Sequence, residues 1–199
     1  MDEQLQTSES PEPISESPEP KSTPSTLDNA IEWVESVASA LIVIVLIFVF
    51  LGRQATVEGF SMENTFADQD KVLVNNSFYE PQKGQVIALY SGSLDKPLIK
   101  RVVAVAGDTV DVDYDANIVY VNGEATVEPY IKEPMRYPQG NYAMTALPVT
   151  VPEGMVFVMG DNRNNSEDSR YQEVGLINED TIIGKVILRF FPFDQLKLF

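Results

Sequence analysis

Leu98-Ile99-Lys100-Arg101-Val102-Val103-Ala104-Val105-Ala106-Gly107-Asp108 alternates as a strand does, one residue to each face in turn. One face reads Leu98, Lys100, Val102, Ala104, Ala106, so a lysine stands in an apolar file with nothing local to neutralise it. Two readings are open. At the strand's end, the amine snorkels to water. Withheld from water, its pKa falls far enough for it to act as a base. A base needs a nucleophile, and a serine lies in Gly59-Phe60-Ser61-Met62-Glu63-Asn64-Thr65-Phe66. Ser61 reads equally well as a solvated hydroxyl or as the cap of a short turn. A third stretch, Met159-Gly160-Asp161-Asn162-Arg163-Asn164-Asn165-Ser166-Glu167-Asp168-Ser169-Arg170, packs small polar, acidic and guanidinium groups into one loop. Asn and Asp tolerate left-handed turns there. The two arginines beside Asp161 and Asp168 are expected to form bidentate pairs that fix the loop. An ordinary charged surface turn is the alternative.

Composition narrows the chemistry. The 199 residues include no cysteine, which excludes disulfides, a thiol nucleophile and thiolate metal sites. They include no histidine either, which removes the Ser-His-Asp triad and every histidine-based zinc site. Nucleophilic hydrolysis must then use another base, and Ser-Lys is the known variant. No metal and no cofactor is expected. The net charge is −16, half of it carried by residues 1–35 with nine acids and one lysine. Such a balance argues against nucleic acid as a partner, because phosphate binding needs basic patches.

The elements that must position these groups follow from hydropathy. Residues 1–30 are rich in Ser, Pro, Glu and Thr, with a near-repeat of Ser-Glu-Ser-Pro-Glu-Pro at 8–13 and 15–20, and read as a disordered acidic tail. From Ser36 to Gly52 no residue is charged. As a helix this run is ~25 Å long, slightly short of the apolar core of a bilayer, and Trp33 and Val34 extend it. Residues 31–53 are therefore expected to be a membrane-spanning anchor helix rather than a cleaved leader, since a basic start and a small-residue cleavage site are both missing. Charge does not decide the orientation: the few flanking basic residues lean only weakly towards the tail being outside. Residues 54–199 form the third part, with candidate strands at 55–58, 71–75, 85–90, 98–106, 109–114, 118–121, 155–159 and 183–190. Asn122-Gly123 and Gly107-Asp108 read as tight turns. Residues 124–150, rich in proline and tyrosine, read as a long irregular excursion. Many short strands with few helical patterns indicate a mainly β domain.

Taken together, the three stretches resemble type I signal peptidase, the membrane-anchored serine protease that removes export signals. Ser61-Met62-x-x-Thr65 resembles its serine box and Lys71-Val-Leu-Val-Asn75 the strand that follows. Lys100-Arg101-Val-Val-Ala-Val-Ala-Gly-Asp108 resembles its lysine box. Gly160-Asp-Asn-Arg-Asn-Asn-Ser-Glu-Asp-Ser-Arg170 resembles its last box at nearly every position. The resemblance covers roughly Arg53 to Phe193, and the short single-anchor layout is similar to the Gram-positive form. One position departs: the family usually has proline where this chain has Asn64, and the acidic tail replaces a short basic start.

The resemblance implies an antiparallel β domain of partly open coiled sheets. It also implies a Ser-Lys dyad in which Ser61 is the nucleophile and Lys100 the general base. Ser166 matches the hydroxyl that orients the lysine amine, and Asp161, Asp168 and Arg170 match the scaffold of the loop. The Ser61 backbone N–H would hold the oxyanion, and at Gly59 only the backbone could assist. The substrates implied are signal-peptide-bearing preproteins cut after small-x-small motifs of the Ala-x-Ala kind. Met62 and Ile99 are candidates for pocket walls, with a core role equally open. Phe60 and Phe66 are placed either at the bilayer surface or in packing. The lipid bilayer is the expected surroundings, the catalytic domain lies on the extracytoplasmic face of the cell membrane, and the chain is expected to be a monomer. Two rival readings stay open: a self-cleaving Ser-Lys protein related to LexA, and a non-catalytic membrane-anchored β domain.

Overall fold

The structure is a computed structural model that describes residues 26–51, 53–75, 79–138 and 143–199, without the side chains of 27, 28 and 46–51. The tail expected over 1–30 lies, up to residue 25, outside the described residues. One helix, α1, runs from Thr26 to Leu51. All of its described side chains are exposed, Trp33 and Leu41 among them. Among the described residues no helix is long and apolar enough to cross a membrane. The side chains of 46–51, and Gly52, which complete the expected span, lie outside them.

Among the described residues the remainder holds twelve strands. These are β1 (Arg53–Thr56), β2 (Lys71–Asn75), β3 (Val86–Ser91), β4 (Lys96–Val105), β5 (Thr109–Asp113), β6 (Ile118–Val121), β7 (Glu124–Ala125), β8 (Val149–Thr150), β9 (Met155–Met159), β10 (Ile177–Asn178), β11 (Ile182–Phe191) and β12 (Lys197–Leu198). The larger sheet has the order β1-β2-β11-β3-β4-β9-β10, with β12 added to β11, and the smaller has the order β7-β6-β5-β8. Every pairing is antiparallel. The eight strands expected from alternation are all present, with ends displaced by up to two residues. The two-residue strands are too short to leave a periodic signal. Asn122 and Gly123 both have positive φ, +56° and +79°, as the tight turn from β6 to β7 demands.

Strand β4 departs from simple alternation. Its register against β9 shifts between Val102 and Ala104, which marks a bulge. Leu98 and Val102 pack with Ile87, Leu89, Val156 and Val158, whereas Val103 and Ala104 both join the cluster around Val110, Val119 and Phe157. The single face expected from Leu98 through Ala106 therefore ends at Val102, and Ala106 is exposed. The extra residue lets one strand serve two cores. A third cluster, including Val57, Met62, Phe66, Val72, Val74 and Val186, lies on the other face, towards β1 and β2. Arg189 of β11 braces this region. Its Nη1 donates to the Thr65 carbonyl at 3.1 Å and to the buried Asp70 carboxylate at 3.0 Å.

Candidate active site

The loop between β1 and β2 carries Ser61. Its neck is closed by backbone bonds from the Val57 N–H to the Asp70 carbonyl and from the Gln69 N–H to the Val57 carbonyl, both 2.8 Å. Gly59, at φ +82°, turns the chain outward, and its N–H is held by Asp68 Oδ1 at 2.7 Å. A tight turn follows: Thr65 and Phe66 both donate backbone N–H bonds to the Met62 carbonyl. Met62 and Phe66 drive their side chains into the core, which leaves Ser61 half-buried above them. The Ser61 N–H has no partner among the described residues.

Lys100 lies mid-strand in β4, opposite Ile87 of β3, and is only 2% exposed. Its Nζ stands 2.8 Å from Ser61 Oγ. Snorkelling is ruled out by that burial. Withdrawal from water pushes the amine down to about 8; Asp168 opposes the shift and Lys96 adds to it. The amine so placed can accept the serine proton at mildly alkaline pH, and hydrogen-bond reach is already satisfied.

The loop after β9 is held from within and without. Asp168 and Arg170 are fully buried and paired through two bonds, Nε to Oδ1 at 2.8 Å and Nη2 to Oδ2 at 2.9 Å. Burial pushes the Asp168 carboxyl up, but Arg170 and the Gly160 N–H outweigh it, and the group stays below the usual carboxylate range. The other expected pairing is different. Asp161 takes its fork from Arg101 of β4, Nε to Oδ1 at 2.8 Å and Nη2 to Oδ2 at 2.6 Å, and also accepts from the Thr65 hydroxyl at 2.5 Å. Arg163 instead reaches Glu128 in the excursion, through bonds of 2.9 and 2.7 Å. Asp161 thus joins all three stretches: lysine strand, serine turn and last loop. The Asn162 N–H donates to the Ser61 carbonyl at 3.0 Å, and its Nδ2 donates to the Phe60 carbonyl at 3.1 Å.

Ser166 Oγ is buried and has no hydrogen-bond partner among the described residues. It lies against Gly160, where an added Cβ would overlap both Ser166 Oγ and the Ser61 carbonyl oxygen. Gly160→Ala is therefore expected to displace the nucleophile while the sheets stay intact. Activity should fall about 10²-fold, as for an ångström-scale misplacement, with an unchanged circular dichroism spectrum; normal turnover would show that the contact is relieved elsewhere.

A groove of 890 Å³ opens over these groups, lined by Ser61, Lys100 and Ser166 and walled by Phe60, Leu98 and Val174 among others. Met62 and Ile99 do not line it. Met62, 1% exposed, is core beneath the serine turn, and Ile99, on the opposite face of β4 from Lys100, packs against the same cluster. Period-two geometry explains the second case: a neighbour of Lys100 in a strand points away from it. Phe66 is likewise core, while Phe60 is exposed at the groove.

Residues 30–191 match the family described as signal peptidase, peptidase S26. Signal peptidase IB of Staphylococcus aureus (strain Mu50) is 35% identical over 181 residues, covering 84% of this chain and 92% of the relative. Signal peptidase I of Bacillus amyloliquefaciens is 34% identical over 173 residues, covering 84% and 91%. The chain belongs to the signal peptidase family, peptidase S26. It is accordingly an enzyme, a serine endopeptidase of the signal peptidase I class. A crystal structure of a signal peptidase I from Enterococcus faecalis V583 is also similar, at 32% identity and a TM-score of 0.45, over 55% of this chain and 98% of that one.

The expected site residues fall into groups. Ser61, Lys100 and Ser166 meet at the groove. Asp161, Asp168 and Arg170 are buried behind it. Arg101, Thr65, Asn162, Glu128 and Gly160 went unassigned in the sequence. Only Arg101 had a local signal, since a second cation beside Lys100 on a buried strand also needs a partner.

Proposed function

We propose that the chain cleaves N-terminal signal peptides from exported preproteins, after small-x-small motifs, with Ser61 and Lys100 as a dyad. The 2.8 Å approach of Lys100 Nζ to Ser61 Oγ, with the lysine buried, carries this reading. Neutral Lys100 takes the hydroxyl proton as Ser61 Oγ attacks the scissile carbonyl carbon. The carbonyl oxygen becomes an oxyanion facing the unpartnered Ser61 N–H. The resulting ammonium returns its proton to the departing amine of the mature protein, leaving the signal peptide esterified to Ser61. Water then attacks the ester with Lys100 again as base, and Ser61 is restored. Ser166 is read as the hydroxyl that orients the lysine amine, because the likeness of the last loop implies that role and its buried Oγ belongs to the same groove, with Asp161, Asp168 and Arg170 holding the loop that carries it. The groove takes the segment before the cut, and the preference for small side chains there is what membership of the family implies.

The apolar helix α1 belongs to this reading as a single-pass anchor. Its exposed aliphatic side chains have no protein partner among the described residues, and the uncharged run continues to Gly52. A bilayer supplies what they lack. The catalytic domain then stands on the extracytoplasmic face of the cell membrane, as a monomer beside its preprotein. The test is incubation of the purified chain in detergent with an Ala-x-Ala precursor, beside Ser61→Ala. A product beginning one residue after the second Ala, absent with Ser61→Ala, is expected. Equal cleavage by both proteins would overturn the assignment.

A further inference from the structure

Asn64 stands where the resemblance to the family leads one to expect proline. Its backbone φ is +89°, in the left-handed region. A proline ring holds φ near about −65°, so proline does not fit the backbone that this chain adopts. The turn explains why asparagine does. The Thr65 N–H donates to the Met62 carbonyl at 3.0 Å, which makes Asn64 the third residue of a four-residue turn. Positive φ at that place is the mark of a type II turn, filled by glycine or asparagine.

Glycine would satisfy the backbone alone, whereas asparagine adds an amide. Its Nδ2 donates to the Tyr130 carbonyl at 3.0 Å and lies 3.3 Å from the Ile131 carbonyl. Those carbonyls belong to the excursion between β7 and β8, at a point already joined to the site. Glu128 holds Arg163 of the last loop, Lys132 pairs with Glu63 at 2.5 Å, and the Lys132 N–H donates to the Asp161 carbonyl at 3.1 Å. The Tyr130 ring lies 3.9 Å from the Arg101 guanidinium. The amide therefore fastens the residues just past Ser61 to the segment that also braces Arg101, Asp161 and Arg163.

We propose that Asn64 is a positioning residue for Ser61: its left-handed backbone, clamped through its amide to the Tyr130 and Ile131 carbonyls, sets the serine turn that proline is expected to set in its relatives. The proposal rests on the reading of Ser61 as nucleophile. It has a counterintuitive consequence, because restoring the family's proline should damage the enzyme.

The experiment compares wild type, Asn64→Pro and Asn64→Gly as full chains in detergent. Cleavage of an Ala-x-Ala precursor and hydrogen exchange at the 62–66 and 130–133 amides are both measured. Asn64→Pro should lower kcat about 10²-fold with KM little changed, the pattern of a displaced nucleophile. Asn64→Gly keeps the backbone and loses the clamp, so kcat should fall about 10-fold and exchange should quicken in both segments. The acid limb of its pH profile should not move, because Asn64 does not touch Lys100. An Asn64→Pro enzyme as fast as wild type overturns the proposal. So does Asn64→Gly with wild-type kcat and unchanged exchange, which decides the matter if the proline variant does not fold. Wild type that leaves the precursor intact overturns the nucleophile reading instead, and the exchange comparison still judges the turn.

Discussion

Lys100→Ala is expected to lower precursor cleavage by at least about 10⁴-fold while making the folded domain more stable at neutral pH. The activity loss follows from the distance. Lys100 Nζ is the titratable group at hydrogen-bond reach of Ser61 Oγ, and no histidine exists to replace it. The stability gain follows from burial. An amine whose pKa drops from 10.5 to about 8 on folding resists its charged form by roughly 3 kcal/mol below pH 8. Removing it abolishes that penalty but opens a small cavity, so Lys100→Met, which keeps the stem, shows the gain more fully. Urea denaturation at pH 7 measures it directly. A Lys100→Met protein less stable than wild type would mean that the amine is solvated in the native state. A Lys100→Ala protein with normal turnover would remove the base from the mechanism.

The second large effect is in pH. Only neutral Lys100 accepts the serine proton, so kcat/KM should fall about tenfold for each unit below pH 8. The limb should have unit slope, since one group is involved. Stability should move in a different window with the sign that linkage requires. Between about 8 and 10.5 the unfolded chain holds a proton on Lys100 that the folded chain has released. Unfolding therefore takes up a proton, and this lysine contributes rising stability as pH rises through that window. Below pH 8 both states are protonated and its contribution is flat. The Lys100→Met protein should lack that rise, which separates it from the titration of other groups. A flat rate from pH 8 down to pH 6 would contradict the lowered pKa.

How much of this was legible beforehand depended on where each partner lay in the chain. The pairing of Asp168 with Arg170 could be read because both lie two residues apart in one loop. That of Asp161 could not: Arg163 is the near neighbour, but the fork comes from Arg101, which β4 brings alongside β9 at the Arg101–Met159 pairing. Glu128, sixty and more residues from the serine turn, gave no local reason to be singled out, and its place beside Arg163 is set by the path of the excursion. Met62 and Ile99 were adjacent to the dyad in the chain, yet adjacency sends a side chain to the opposite side of a turn or strand.

Composition and hydropathy by themselves excluded histidine and thiol chemistry and indicated a mainly β domain behind an apolar helix, while the serine with a lysine base came from the resemblance of the three stretches. The exclusions and the fold class follow from which residue types exist and from period-two alternation, both properties of the chain alone. Only the tertiary structure decided that Lys100 is dry, that its amine meets Ser61, and which guanidinium holds which carboxylate. Burial and long-range pairing depend on how separate strands are laid side by side, and no spacing along the chain encodes the 2.8 Å between two atoms 39 residues apart.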